Sequence, residues 1–419
     1  RSLDFEDLLL ITTAMIENEP QVRERIHEQY RYFTIDEYQD ISPLQQRLID
    51  AWLGNRNEIC VVGDPAQTIY SFAGASSAFL LNFTKRFPNA QTFQLTRGYR
   101  STPEIIKSAN NLLRSAGVIG VETPELASMN ESGAKPAVTA FDNNKNEVSQ
   151  VSERIKALLN ESGDLRRLSE IAILARTNSQ LDSFESELKS AGIPTQLKSA
   201  EKFFDRVDVK EALREIRNAS VIPSGNDWFE DLKAILRPFG EADYVRAFIN
   251  LAEDMKNEGA TSLRQLLREI EDRIEQNNPP TLPGVVLATL HAAKGLEWDL
   301  VVIPGLQEGQ WPNLKERGSL LGSERITERR TSQSTAMAEI RSAIAARLAK
   351  DEHRLFTNAM HRSKKKVILC AIEMEDTFPS RYFLDQSDDL LIDDFKPERG
   401  LNIHSLVAQL RRDLLESDK

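Results

Sequence analysis

The sequence predicts an α/β fold built around parallel sheets, on three observations. Apolar runs of strand length alternate with helical periodicity along most of the 419 residues, which is typical of α/β proteins. The first two predicted strands, at 32–35 and 59–62, each end in a polar cluster, and open α/β sheets bind ligands at the carboxyl ends of their strands. Between 205 and 280 only helical periodicity remains. We therefore predict a helical insertion within a second α/β region.

The individual elements follow from the same periodicities and from capping residues. Ser42 and Pro43 supply an N-cap and a proline in the first turn, which predicts a helix start. The predicted helices cover residues 21–29, 42–52, 104–115, 145–161, 178–191, 335–363 and 403–416. The predicted strands cover residues 32–35, 59–62, 137–141, 171–174, 285–288, 300–303 and 366–372. A loop rich in Arg, Ser and Glu is predicted at 313–335.

The composition indicates a globular protein of two to four domains. Apolar residues make up 40% and charged residues 28%, a balance that excludes a disordered chain. The longest apolar runs are of strand length, so we expect no membrane span. The net charge of −11 argues against a uniformly basic coat for nucleic acid, and a nucleic-acid partner would need a local basic groove. The start of the chain has neither Met nor a signal-peptide pattern, so we expect a fragment.

The two cysteines, Cys60 and Cys370, lie in apolar, strand-like contexts. Neither has a Cys or His at the spacing of metal ligands. We expect both to be buried thiols in a reducing cytoplasm.

A pair of carboxylates, Asp36 and Glu37, follows the first predicted strand. An Asp at the end of a strand can hold Mg²⁺, and a neighbouring Glu can orient and deprotonate an attacking water. An acidic capping loop on the surface is the alternative interpretation of the pair alone. The full run from Asp36 to Asp40 after four strand residues favours the hydrolytic site.

A second cluster, Gly63 to Ala75, follows the next strand. The amide of Gln67 could sense a terminal phosphate, and Tyr70 and Phe72 could stack on bases. Packing of the two aromatic residues in the core, at strand spacing, is the alternative.

In this order and spacing, the two clusters resemble the second and third motifs of the UvrD/Rep/PcrA group of DNA helicases, superfamily 1A. Later segments resemble further motifs in the order of that family, namely Leu95–Ser101, Arg176–Gln180, Val286–Trp298, Glu308–Pro312 and Arg354–Lys364. The resemblance covers residues 3 to about 385. It implies two RecA-like parallel-sheet domains, the first incomplete, with a small helical insertion in the second.

The resemblance also assigns roles around a bound ATP. It implies that Asp36 binds Mg²⁺, that Glu37 is the catalytic base, and that Gln67 contacts the γ-phosphate or the water. Arg100 and Arg362 would act as arginine fingers, whose planar donors suit the charge on the transferred phosphoryl group. Glu297 would bind the ribose of the nucleotide.

Single-stranded DNA and duplex-junction DNA are the partners that the resemblance implies. Tyr70 and Phe72 would lie near bases, whereas Thr289 and His291 would lie near the backbone. Stacking tolerates any sequence, as a translocase requires. No His or Cys lies near His291 in sequence, so a metal site there has little support.

The predicted domain division follows the motifs. Residues 1–103 form the C-terminal part of the first motor domain, 104–204 and 283–385 the second motor domain, 205–282 the helical insertion, and 386–419 a linker with a helix. The helical insertion is shorter than in the stand-alone helicases, which weakens a role for it in duplex unwinding.

Several departures from the family pattern limit what this chain does alone. No Gly-x-x-x-x-Gly-Lys-Ser/Thr segment occurs in the 419 residues, so we expect no ATP hydrolysis by the fragment itself. The third motif has Ala73 where the family often carries Arg, and the sixth has His361-Arg362-Ser363 where Thr-Arg-Ala is usual.

The leading hypothesis is the motor of an ATP-dependent 3′-to-5′ DNA helicase of repair or recombination. The segment from Trp311 to Arg325 is similar to actinobacterial helicase–nuclease subunits of the AdnA type, which implies a second subunit as partner and a nuclease domain after the motor. A non-catalytic DNA-binding scaffold subunit is the competing hypothesis. An ATPase without nucleic acid is disfavoured by the aromatic residues of the third motif.

Overall fold

The computed structural model describes residues 3–120, 122–162, 165–198, 203–220, 227–240, 242–275, 280, 284–314, 334–372, 380–382 and 390–392. Contacts divide the chain into two compact units. Unit 1 comprises residues 1–147, 174–176 and 293–419, and unit 2 comprises residues 148–173 and 177–292. None of the helices in these ranges is long and apolar enough to cross a membrane.

The first hundred residues of unit 1 contain short strands between helices. The strands are β1 (Phe33–Ile35), β2 (Ile59–Val61) and β3 (Arg97–Gly98). The helices are α1 (Phe5–Asn18), α2 (Pro20–Gln29), α3 (Pro43–Leu53), α4 (Ala78–Leu81) and α5 (Phe83–Arg86). Helix α3 begins as predicted at Ser42, whose hydroxyl accepts from the amide of Gln45 while the Gln45 side chain accepts from the amide of Ser42.

Helices and strands alternate in the next hundred residues. The helices are α6 (Pro103–Ser115), α7 (Asn144–Ser162) and α8 (Asn178–Ser190). The strands are β4 (Ala127–Ser128), β5 (Ala137–Phe141), β6 (Ile171–Ala175) and β7 (Thr195–Lys198). All five residues of β5 and of β6 are buried, as expected for parallel strands covered on both faces.

Unit 2 contains the predicted helical segment as four helices with a core of their own. They are α9 (Val207–Ala219), α10 (Trp228–Leu236), α11 (Asp243–Asn257) and α12 (Leu263–Glu275). One apolar cluster joins all four helices, with Ile216, Leu232, Phe248 and Leu266 completely buried in it. Such a core stabilises the segment through its own packing.

The remaining described elements are mostly strands of unit 1. They are β8 (Val285–Thr289), which lies in unit 2, then β9 (Trp298–Ile303), α13 (Ser334–Met360), β10 (Ser363–Ile372) and β11 (Leu391–Ile392). In unit 1 the strands pair in the order β11-β5-β10-β9, all in parallel, and β1 pairs in parallel with β2. In unit 2, β7 pairs in parallel with β8. The predicted α/β class with parallel sheets is therefore confirmed.

One prediction about the fold is wrong, because Cys60 is exposed whereas Cys370 is buried. Successive side chains of a strand face opposite sides. In β2 the flanking residues Ile59 and Val61 are half-buried and pack against a small apolar cluster, so Cys60 faces the other side.

Some predictions lie outside the described residues. These are the helix at 403–416, most of the loop at 313–335 and nearly all of the linker at 386–419. The segment similar to helicase–nuclease subunits is described only as far as residue 314. The predicted domain division and the predicted second subunit stay predictions.

Candidate functional site

The candidate site begins where β1 and β2 end. Ile35 lies opposite Val61 in the parallel pair, so the residues after both strands lie at one edge of the sheet. The amide of Tyr38 donates to the carbonyl of Val62 at 2.9 Å and ties the two strand ends together. Asp36 and Glu37 follow β1 at this edge, and both are exposed.

Glu37 has an unusual backbone conformation. Its torsions, φ 52° and ψ 37°, lie in the left-handed region, and no other non-glycine residue in the described ranges has a positive φ. Such conformations cost about 1–3 kcal/mol and cluster at functional sites. The amide of Glu37 donates to Oδ1 of Asp36 at 2.9 Å. The two carboxylates predicted to act in hydrolysis thus lie on one strained turn. The Asp36 side chain helps to stabilise this turn through its hydrogen bond with the amide of Glu37.

A chain of side-chain hydrogen bonds joins Glu37 to Gln67. Gln39 Nε2 donates to Glu37 Oε2 at 2.6 Å, and Gln39 Oε1 accepts from the amide of Asp64 at 3.0 Å. Gln67 Nε2 donates to Asp64 Oδ2 at 3.1 Å. The Gln39 side chain lies close to the backbone of Gly63. A Cβ at position 63 would lie 2.5 Å from Gln39 Oε1, so glycine fits here without a shift of Gln39. Glu37 and Gln67 are therefore coupled through two residues that have no role in the sequence-based prediction.

Lys294 pairs with two carboxylates of this site. Its Nζ lies 2.7 Å from Glu37 Oε2 and also donates to Asp40 Oδ2, and its side chain is only 13% exposed. Burial raises the pKa of Glu37, but Lys294, Gln39 and the charge of Arg362 outweigh it and hold that pKa below its ordinary value. Burial raises the pKa of Asp40 more than Lys294 lowers it. The ammonium group of Lys294 thus offsets part of the negative charge at this edge.

The residues predicted to face the nucleotide from the later motifs lie together in unit 1. Arg100 Nε donates to Glu297 Oε2 at 2.5 Å, and Arg100 Nη1 donates to the carbonyl of His361 at 3.4 Å. Lys364 Nζ lies 3.2 Å from Glu297 Oε1. The hydrogen bonds from Arg100 and Lys364 hold the pKa of Glu297 below its ordinary value. A ribose hydroxyl would therefore meet an ionised Glu297 that already has two cationic partners.

Arg362 is held by the last turn of α13 and by the loop before β9. Its Nη2 donates to Asn358 Oδ1 at 2.8 Å, and its Nη1 donates to the carbonyl of Leu296 at 3.4 Å. Burial and, to a smaller extent, the charge of Arg100 lower the pKa of Arg362 to about 10, against the opposing charges of Glu37 and Glu297. At neutral pH it stays cationic. The Arg362 guanidinium is therefore close enough to Arg100 and to Glu37 to interact with the charges of both.

His361 occupies the position where the family usually has Thr. Burial lowers its pKa to about 4, helped by the charges of Arg362 and Arg100, so the ring is neutral at physiological pH. Its Nε2 is buried, and no described residue offers it a hydrogen bond.

The aromatic residues predicted to stack on bases lie in a loop with a short 3-10 helix, Ser71–Ala73. Phe72 is 60% exposed, so it is not a core residue, and Tyr70 is half-buried. Their ring centroids are 6.2 Å apart. The hydroxyl of Ser71 between them donates to Asp351 Oδ2 of α13 at 2.7 Å. An exposed aromatic side chain on an anchored loop suits a stacking role.

Thr289 and His291, predicted to lie near the DNA backbone, belong to unit 2, whereas Tyr70 and Phe72 belong to unit 1. Both residues are half-buried, and Thr289 Oγ1 accepts from the amide of Ala292 at 3.4 Å. Their joint role with the aromatic residues stays a prediction.

Sequence reasoning missed Lys294, Gln39 and Asp64 as members of the site. Lys294 lies in the same predicted motif as Glu297, three residues before it. A lysine without an assigned role, so close to a residue predicted to bind the ribose, was the signal that could have identified Lys294. Gln39 lies between the two acidic positions of the first cluster, and Asp64 directly follows the second strand and its glycine.

Comparisons with known proteins agree with the motif order. A model of the UvrD/REP helicase N-terminal domain matches residues 1–88. A model of the UvrD-like helicase C-terminal domain matches residues 93–220 and 238–374, which is more than half of the chain.

Individual relatives match over part of their length. The ATP-dependent DNA helicase UvrD2 of Mycobacterium tuberculosis is 40% identical over 325 residues, which are 74% of this chain and 46% of that protein. The ATP-dependent DNA helicase PcrA of Bacillus subtilis is 34% identical over 220 residues, which are 52% of this chain and 29% of that protein. A solved C-terminal domain of a possible DNA helicase from Lactobacillus aligns over 71% of this chain and 99% of its own, with 14% identity and a TM-score of 0.32. The chain thus spans less than half the length of these two helicases.

Proposed function

This chain belongs to the UvrD-like helicase family, and from that premise we propose that it forms part of the motor of an ATP-dependent DNA helicase. The observation that carries the proposal is that Glu37, on its strained turn, lies near enough to Arg362 for their charges to interact, and that Arg100 interacts with Arg362 in the same compact unit. A carboxylate and two guanidinium groups are among the parts that hydrolysis of a γ-phosphate needs.

Each of these side chains has a definite task in the proposed reaction. Glu37 accepts the proton of the attacking water, and Gln67, linked to it through Gln39 and Asp64, orients that water or the γ-phosphate. Arg100 and Arg362 bind the phosphoryl oxygens on which negative charge develops. Glu297, released from Arg100, accepts a hydrogen bond from the ribose.

Asp36 is the residue that would hold Mg²⁺. Its carboxylate is exposed at the strand end, and hard carboxylate oxygens fit an ion that keeps several of its waters. When bound there, the ion supplies positive charge that offsets the charge of the β- and γ-phosphates.

The proposed nucleic-acid substrate is single-stranded DNA, at or near a junction with duplex. Phe72 and Tyr70 stack on bases, and Thr289 and His291 contact the backbone. Translocation from 3′ to 5′, a role in repair or recombination, and a cytoplasmic location are further parts of the proposal that rest on the family alone.

The test uses the full-length protein that contains this chain, since the 419 residues include no phosphate-binding loop of the Gly-x-x-x-x-Gly-Lys-Ser/Thr type. In Glu37→Gln we expect DNA-stimulated ATP turnover to fall by about 10²-fold or more, the contribution of a general base. Binding of a fluorescent ATP analogue should persist. Glu28→Gln, at an exposed position of α2, is the matched control and should turn over normally.

Unchanged turnover in Glu37→Gln would remove Glu37 as the base. No ATPase activity in the unsubstituted full-length protein, with DNA binding retained, would instead favour a scaffold subunit. Unwinding of duplexes with a 3′ tail but not of those with a 5′ tail tests the polarity.

A further inference from the structure

Four charged side chains without a role in the proposed reaction form a largely buried cluster in unit 1. Arg354 Nη1 donates to Asp351 Oδ1 at 3.0 Å, and Arg354 Nη2 donates to Glu122 Oε2. Lys350 Nζ donates to Glu122 Oε1 at 2.7 Å. The Arg354, Asp351 and Glu122 side chains are 6%, 13% and 13% exposed. Because ion pairs shielded from water are costly to break, the cluster holds Asp351 in one orientation.

The second carboxylate oxygen of Asp351 binds the loop that carries the aromatic residues of the third motif. Ser71 lies between Tyr70 and Phe72, and its hydroxyl donates to Asp351 Oδ2 at 2.7 Å. Burial raises the pKa of Asp351, and the hydrogen bond from Ser71 is the largest of the interactions that oppose this rise. Hydrogen bonds to charged groups are stronger than those between neutral groups. The contact therefore holds the loop firmly on α13.

The loop contains a point of backbone freedom close to Phe72, whose side chain is 60% exposed. Two residues later, Gly74 has a φ of +89°, and nothing lies within 4 Å of the position that a Cβ would take there. Glycine torsions change at low cost. The amide of Ser76 donates to the carbonyl of Ile41 at 3.1 Å and fixes the far end of the loop. The Ser71 hydroxyl provides the corresponding attachment beside Phe72 itself.

Asp351 also connects the loop to the helix whose last turn holds Arg362. Asp351 and Asn358 are seven residues apart on α13, which is about two helical turns, so they lie on similar faces of the helix. Asn358 Oδ1 accepts from Arg362 Nη2 at 2.8 Å. One helix thus carries both the residue that binds the stacking loop and a residue that binds a proposed arginine finger.

We propose that Asp351 is a positioning residue for single-stranded DNA, which acts through the hydroxyl of Ser71 to present the Phe72 ring to a base. A ring that is already held in its bound orientation loses less conformational freedom when a base stacks on it. The attachment to α13 also keeps the stacked base at a fixed place relative to Arg362. The inference rests on the proposed function and adds to it the residues that set the geometry of the DNA contact.

The test is Ser71→Ala in the full-length protein, with the Kd for a labelled oligo(dT) strand measured by fluorescence anisotropy. We expect the Kd to rise by about tenfold, the lower end of what a hydrogen bond to a charged group contributes. Ser71→Thr keeps a hydroxyl and should bind with normal affinity. Ser190→Ala is the matched control, because it removes an exposed hydroxyl that donates to the carbonyl of Ser186 within α8.

Double substitutions separate positioning from a general effect on stability. Effects of independent sites add, whereas effects of residues that act through one another do not. In the Phe72→Ala background, Ser71→Ala should change the Kd by less than about twofold, because the ring that the contact presents is gone. Asp351→Ala should raise the Kd as much as Ser71→Ala does, with no further rise when the two are combined. If Asp351→Ala fails to fold, the Ser71 variants decide alone.

Two results would overturn the positioning role. One is normal affinity in Ser71→Ala while Phe72→Ala raises the Kd. The other is an equal rise from Ser71→Ala with and without the Phe72 ring, which is what a purely structural role would give. Normal affinity in Phe72→Ala would instead contradict the proposed stacking of bases on this loop.

Discussion

Arg176 and Glu352 form a buried, bidentate ion pair in unit 1. Arg176 Nη2 and Nε lie 2.6 and 3.2 Å from Oε1 and Oε2 of Glu352, and the two side chains are 8% and 9% exposed. Glu352 Oε2 also accepts from the amide of Asn313 at 3.2 Å. Because Arg176 follows β6 and Glu352 lies on α13, the pair fixes a strand end to the helix that ends two residues before Arg362.

Removal of one partner should therefore destabilise the protein strongly. In Glu352→Gln we expect the free energy of unfolding to fall by about 3–5 kcal/mol, because a buried guanidinium loses its counter-charge. Denaturant unfolding of the full-length protein measures the change. Glu185→Gln, which removes an exposed ion pair with Lys189, should cost less than about 1 kcal/mol. Equal, small losses in both variants would show that Arg176 is not shielded from water.

The elements predicted best from the sequence are those with continuous apolar runs. Strands β5 and β6 are buried at every position, so hydrophobicity alone marks them. Strand β7 was missed because two of its residues, Gln196 and Lys198, are polar. Strands β3 and β4 have two residues each, too few for any periodicity. Helix α1 was missed although Asp4 and Asp7 form a capping box at its start.

Some residues of the candidate site could be predicted from the sequence, whereas their contacts could not. Asp36 and Glu37 follow a predicted strand, whereas the roles predicted for Arg100 and Arg362 came only from the resemblance of their motifs to those of the helicase family. Lys294 could not be predicted as the partner of Glu37 and Asp40, because it is 254 residues from Asp40 and only tertiary folding brings these side chains together. The strained φ of Glu37 likewise leaves no trace in the sequence, since glutamate does not favour that conformation.

A substitution at Phe72 should weaken DNA binding. Loss of one stacked base costs about 1–3 kcal/mol, so Phe72→Ala should raise the Kd for oligo(dT) by about 10- to 100-fold. Fluorescence anisotropy with a labelled strand measures it. Phe93→Ala is the matched control, because Phe93 is 81% exposed but lies outside the third motif. Equal Kd values for the two variants would remove Phe72 from the DNA site.

Replacement of Arg362 by Lys tests whether the positive charge alone, or also the planar arrangement of the guanidinium donors, is needed for ATP turnover. Lysine keeps a cation but loses the planar donors that bind two phosphoryl oxygens, and arginine fingers contribute about 10³–10⁵-fold to turnover. We expect kcat for ATP in Arg362→Lys to fall by about 10³-fold with a much smaller change in nucleotide affinity. Arg273→Lys, at a surface pair with Glu269 on α12, should behave normally. A kcat within about threefold of normal would contradict the assignment.

Glu147 should make stability depend on pH. Burial raises its pKa from 4.5 to about 7, against the hydrogen bond that it accepts from the amide of Gly305 at 2.9 Å. The folded chain therefore keeps this proton where the unfolded chain has lost it, and the contribution to stability falls as pH rises from 4.5 to about 7. The loss amounts to about 3 kcal/mol.

The comparison with Glu147→Gln isolates this effect from other titrating groups. Glutamine is neutral at all pH values, and its carbonyl oxygen can still accept from Gly305. The variant should gain stability relative to the unsubstituted protein as pH rises from about 5 to 8, as measured by denaturant unfolding at several pH values. A difference that does not change with pH would mean that Glu147 is ionised in the folded protein, paired with a cation or reached by water.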